Sequence, residues 1–174
     1  KFEQRLLVQS RMDALTKICN RGYGEAQIEK LLKAKKNGMF LLFDVDKFKH
    51  INDTYGHSIG DEVLIQVADA LKQTFEQAGV CMRLGGDEFA VYAPEITEQM
   101  QAETMIQAFF ERIRNIAIPQ MEGDAISVSL GAVLCAPDRE HVFEKVYQRA
   151  DATMYTCKKV IGNSYDFYTG RNPA

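Results

Sequence analysis

Met39-Phe40-Leu41-Leu42-Phe43-Asp44-Val45-Asp46 decides the fold: five apolar residues in a row, with Gly38 before them and acids after. A short unbroken apolar run of this kind reads as a strand buried on both faces, at the centre of a sheet. Upstream, residues 22–37 carry Ile28, Leu31 and Leu32 on one stripe and read as a helix stopped by Asn37-Gly38. Downstream, Leu64, Val67, Ala68, Leu71, Phe75 and Ala78 recur at helical spacing over 61–78, ending at Gly79. Val80 to Leu84 and Phe89 to Ala93 are β-prone runs joined by Gly85-Gly86-Asp87-Glu88, a hairpin with acids at its tip. Residues 97–115, with Met100, Ile106, Phe109, Phe110 and Ile113, read as a helix, and the alternation of Ile126, Val128, Leu130, Ala132 and Leu134 reads as a strand. A last helix over 141–161 places Val142, Val146, Ala150 and Met154 inward, and 164–168 adds a short edge strand. The order α β α β β α β α β predicts an α+β, ferredoxin-like core, a mostly antiparallel sheet flanked by helices.

The 174 residues, 46% hydrophobic and 26% charged, suit one globular domain with its own core. A net charge of -3 excludes a general attraction to nucleic acid or anionic lipid, so any phosphate must be held locally. No apolar run approaches the ~20 residues that span a bilayer, so direct membrane contact by this domain is not expected. Cys19, Cys81, Cys135 and Cys157 are scattered without a Cys-x-x-Cys pair, which fits free thiols in a reducing, cytoplasmic compartment. Phe2, Leu6 and Met12 read as the end of a helix arriving from a longer protein. The expected organisation is a linker helix end at 1–12, a domain at 13–170 and a tail at 171–174.

Three places combine charge with special backbone residues. In Phe43-Asp44-Val45-Asp46-Lys47-Phe48-Lys49, acids at i and i+2 share a strand face and can approach one hard cation, while Lys49 suits phosphate. The plainer alternative is a solvated strand end. At Arg83-Leu84-Gly85-Gly86-Asp87-Glu88-Phe89 the glycines let backbone approach a ligand, and the acids could complete a metal site begun by Asp44; a tight polar turn is the plainer alternative. All candidate donors are oxygens, so the metal would be Mg²⁺ or Mn²⁺, which implies a nucleotide. The third place, 51–61, reads as a polar loop in which Asp61 caps the following helix and His57, without a second His nearby, is a loop or packing residue.

Taken together these segments resemble the GGDEF family of diguanylate cyclases. The motif stands intact as Gly85-Gly86-Asp87-Glu88-Phe89. Asp13-Ala14-Leu15-Thr16 with Asn20-Arg21, Phe48-Lys49-x-Ile51-Asn52-Asp53 with Gly56-His57 and Gly60-Asp61, Ser129-Leu130-Gly131, and Ala150-Asp151-x-x-Met154-Tyr155-x-x-Lys158 follow the family's other motifs in order, over nearly the whole chain. The resemblance implies the palm fold of nucleotide cyclases and a homodimer with one GTP per subunit. Each 3′-hydroxyl then attacks the other GTP's α-phosphorus, giving cyclic di-GMP and two pyrophosphates. It further implies that Asp44, the Val45 carbonyl and Asp87 hold divalent ions, two per site, with Glu88 as a further metal contact or as base. Asn52 and Asp61 would read the guanine edge, His57 would lie in the nucleotide loop, and Lys49, Lys158 and main-chain N–H groups near Phe48 would hold the outer phosphates. An upstream sensory or receiver domain would drive dimerisation.

Three departures stand out. The family's inhibitory product site uses Arg-x-x-Asp where this chain has Glu76 and Gly79, so feedback through that route is not expected. Ile161-Gly162-Asn163 replaces the usual Gly-Arg-Asn, removing an arginine that would assist Lys158. Lys17 stands where the opening motif has glycine. A rival reading is a catalytically weak or inactive domain that binds GTP as a signal.

Overall fold

The computed structural model describes residues 2–170, and the expected tail at 171–174 lies outside the described residues. Strand β1 (Met39–Val45) is the middle of five, in the order β2-β3-β1-β4-β5, with β2 (Val80–Gly85), β3 (Glu88–Ala93), β4 (Val128–Leu134) and β5 (Ser164–Phe167). All pairings are antiparallel except β4 with β5, which run parallel. The α+β class and the central place of the Met39–Phe43 run follow the sequence reading.

Because side chains alternate along a strand, β1 serves two cores. Met39, Leu41, Phe43 and Val45 face one layer with α4 (His57–Phe75) and α5 (Gln99–Arg114), while Phe40 and Leu42 face the other, with α2 (Arg21–Lys33) and α6 (Phe143–Cys157). The next residue on that second face is Asp44. Phe43 stacks on Phe89 with ring centroids 5.2 Å apart and meets Phe109 at 5.0 Å, so the register step that pairs Asp44 with Glu88 rests directly on an aromatic floor. Such ring pairs add about 0.5–1.5 kcal/mol beyond the area they bury. Helix α6 lies tight against β4: a Cβ on Gly131 would stand 2.2 Å from the Ala150 carbonyl oxygen.

Several boundaries move. The first long helix ends at Lys33; Asn37 is no stop signal but is buried, with its Nδ2 donating to the carbonyls of Ala136 and Arg139. The last helix starts at Phe143, so Val142 is exposed rather than inward, and its buried face is Phe143, Val146, Ala150, Thr153, Met154 and Cys157. Met100 likewise lies exposed on α5. Helix α1 (Phe2–Gln9) stops before Met12, which instead bridges Cys19.

The largest difference lies at 51–61. Where a loop was expected, α3 (Phe48–Tyr55) and α4 meet at Gly56, whose φ of 91° turns the chain between them. Asp61 is therefore not a cap. It stands on the second turn of α4, whose N-cap is Gly56.

Candidate active site

The acids at the end of β1 separate in role. Asp44 pairs with Lys158, the C-cap residue of α6, at 2.7 Å between Oδ2 and Nζ. Its Oδ1 is buried with no hydrogen-bond partner among the described residues. A buried acceptor without a donor costs free energy, which a hydrogen-bond donor or a cation at this oxygen would relieve. Asp46 is occupied otherwise: Ser127 and Ser129 each donate a hydroxyl to it at 2.6 Å. The serines tie Asp46 to the start of β4, whereas Asp44 keeps one oxygen without a partner.

The hairpin brings the other acids to Asp44. Gly85 and Gly86 turn the chain with φ of 141° and 52°, and Glu88 sits opposite Asp44 across the β1–β3 register. The Val45 N–H donates to the Asp87 carbonyl at 3.3 Å, which ties the turn to the end of β1. Tyr147 on α6 donates its hydroxyl to Glu88 Oε1 at 2.5 Å. Burial pushes the Asp44 carboxyl above the usual carboxylate range, with Lys158 opposing and Asp87 and Asp46 adding to the rise. Burial likewise raises Asp87, opposed by its own N–H and by Lys158. Lys158 is raised in turn, first by its hydrogen bond to Asp44. Among the described residues no three His, Cys or acidic side chains already converge as a closed metal cage. The donor set, oxygens only and short of positive charge, fits Mg²⁺ or Mn²⁺, which take one or two protein carboxylates and fill the remainder from phosphate and water.

The nucleotide-loop residues gather at the α3–α4 corner. A Cβ on Gly60 would stand 1.8 Å from Asn52 Oδ1 and 3.4 Å from Phe48 Cζ, so a side chain at this position would displace Asn52. Asn52 thereby lies beside the turn of α4 that carries Asp61. Asp61, Lys49 and His57 are exposed, and Asn52 and Phe48 half-buried.

Two supports escaped the sequence reading. Arg83 donates from Nε and Nη2 to the Gly86 carbonyl at 3.0 and 2.7 Å and meets Asp13 at 3.2 Å, tying the opening segment to the hairpin turn. Burial would raise Asp13, but the Thr16 hydroxyl and amide and the Arg83 guanidinium outweigh it and hold the carboxyl below its ordinary value. Tyr147 was the second; it flanks the buried stripe of α6, and nothing local marks a partner 59 residues away.

Residues 10–164 match the profile of the diguanylate cyclase GGDEF domain. The chain belongs to the GGDEF family. It is 35% identical to the diguanylate cyclase DosC of Escherichia coli over 170 residues, 91% of this chain. It spans less than half of the length of such relatives, 35% in the case of DosC. The coiled coil and GGDEF domain of DgcB from Caulobacter crescentus, solved in complex with c-di-GMP, shares the fold with a TM-score of 0.84 at 23% identity, over 95% of this chain and 90% of that one. The isolated GGDEF domain of YfiN from Pseudomonas aeruginosa is 27% identical with a TM-score of 0.79, over 91% of this chain and 94% of that one. This GGDEF domain has no helix, among the described residues, long and apolar enough to cross a membrane.

Proposed function

We propose that this GGDEF domain is a diguanylate cyclase that condenses two GTP into cyclic di-GMP and two pyrophosphates as a homodimer, one GTP per subunit. The observation that carries the reading is the intact Gly85–Phe89 turn with Glu88 in register with Asp44, beside a buried Asp44 oxygen that lacks a partner. Phosphoryl transfer asks a protein chiefly for positioning and for neutralisation of charge, and this donor set provides both without a covalent nucleophile. Asp44, the Val45 carbonyl, Asp87 and Glu88 would hold two Mg²⁺ or Mn²⁺ ions, which supply positive charge to the phosphate oxygens. Glu88 is the less suited to act as base, because one of its oxygens is already engaged by Tyr147. Lys49, Lys158 and the N–H groups near Phe48 would hold the outer phosphates. Asn52 and Asp61 would accept and donate along the guanine edge, a pattern adenine does not match, with His57 at the same corner.

One subunit cannot bring both reacting groups together, so the activity requires a second copy. We place the domain at 13–170, on the cytoplasmic side, under an upstream sensory or receiver unit. Feedback through the Arg-x-x-Asp route is absent in this reading. Glu76 lacks the positive charge, and a Cβ at Gly79 would stand 1.9 Å from the Tyr92 carbonyl oxygen, so this backbone has no room for the aspartate.

The rival, a GTP-binding regulatory module, is favoured by one observation: Gly162, with φ of 87°, stands in place of the arginine beside Lys158. Incubating the dimerised protein with GTP and Mg²⁺ separates the two. Pyrophosphate with a cyclic dinucleotide is expected; saturable GTP binding without turnover establishes the rival.

A further inference from the structure

We propose that Tyr147 is a positioning residue for Glu88, holding one carboxylate oxygen so that the other is the one available to a divalent cation. This rests on the nucleotide-condensing reading above and adds to it a residue from α6. The hydroxyl stands 2.5 Å from Glu88 Oε1, the short separation of a charge-assisted hydrogen bond. The donor is rigidly mounted. Its ring packs on Phe143 with centroids 6.2 Å apart, and α6 is fixed so closely to β4 that Gly131 admits no side chain.

Glu88 has reason to need such a hold. It stands one residue beyond the glycine pair of positive φ, and Asp44 and Asp87, both acidic, lie beside it. An unsupported carboxylate there would turn away from its like-charged neighbours toward water. With Oε1 already accepting from Tyr147, Oε2 is the freer oxygen for a cation, and such single-oxygen ligation suits an ion that takes few protein ligands and keeps water and phosphate for the rest. Packing against the second core accounts for the ring but not for the hydroxyl, whose partner is Glu88.

The test is Tyr147→Phe, which keeps the ring and removes the donor. Mn²⁺ binding is followed by the paramagnetic signal of the free ion in the presence of 3′-deoxy-GTP, which has no attacking hydroxyl. The expected result is an Mn²⁺ dissociation constant raised about 10–100-fold, the usual consequence of losing a partner that orients a metal ligand, with an unchanged melting midpoint. In a Glu88→Gln background the same change should add nothing, because the tyrosine acts through Glu88. Wild-type Mn²⁺ affinity in Tyr147→Phe overturns the proposal, as does an equal further loss in the Glu88→Gln background. A Tyr147→Phe chain without a cooperative melt overturns it as well, showing a brace between α6 and β3 instead. If the wild-type chain binds no Mn²⁺ with the nucleotide, the condensing function itself fails; if wild type binds and Tyr147→Phe matches it, only the role of Tyr147 falls.

Discussion

The two halves of the site are built by opposite means. On the carboxylate side, residues 44, 87, 88, 147 and 158 come from two strands, a turn and a helix, and their pairs span as many as 114 residues, from Asp44 to Lys158. At the α3–α4 corner, Phe48, Asn52, Gly60 and Asp61 lie within 14 positions of one another, joined by one glycine hinge. The first half crowds negative charge into a half-buried place and leaves one acceptor orphaned. The second keeps its charged groups, Lys49 and Asp61, at the surface. Charge that the fold tolerates poorly is the mark of a group kept for chemistry, whereas the corner needs only a fixed shape.

The sharpest way to break this contrast is Asp87→Asn. Cyclic di-GMP formation should fall by about 10²–10³-fold, as for loss of a ligand to the cations that would neutralise transition-state charge. The same variant should melt higher than wild type. The sign follows from linkage: the folded-state value of Asp87 is raised, so its charged form opposes folding above the ordinary carboxylate range, and removing the charge removes that opposition. A variant that loses both activity and stability would make Asp87 a structural residue.

At the corner, Gly60→Ala should weaken GTP binding about 10–100-fold by displacing Asn52, while divalent-cation binding to the other half persists. Calorimetry with GTP on a folded variant checks this, and equal loss of cation binding would show the halves to be one unit. Arg83→Ala should cost about 1–3 kcal/mol in denaturant unfolding, since it frees the Gly86 carbonyl and leaves Asp13 without its cation. The smallest effect concerns acid. Because the folded-state value of Asp13 is lowered, its contribution is present above pH ~4, the unfolded value, and is lost as pH falls through the lower folded value. Asp13→Asn should be less stable near neutrality and show a shallower decline below pH ~4; parallel melting curves against pH would contradict this.

The same contrast explains what could be read in advance. The Met39–Phe43 run announces the centre of the sheet because burial on both faces leaves an unbroken apolar signature, and the glycine pair announces the turn. The α3–α4 corner was misread because Asn52, Asp53, Gly56, His57, Ser58 and Gly60 look like loop residues. Apart from the hinge Gly56 they are helical, through Ile51 packing into the core and the corner held at Gly60, neither of which composition displays. Asp61 reads as a cap for the same reason. Tyr147 and the serines that bind Asp46 were invisible because hydrogen bonds across 59, 81 and 83 positions leave no periodic trace. The motif residues were legible through resemblance, their supports only through the fold.

The central claim is that carboxylates from β1 and the hairpin act together on a triphosphate. Its most direct test is product formation from GTP as Mg²⁺ is raised, in wild type and in folded Asp87→Asn. Wild type is expected to give one cyclic di-GMP for every two pyrophosphates, dependent on Mg²⁺, and the variant no product above background. Equal turnover in the two proteins, or wild-type product that does not depend on the metal, would contradict it.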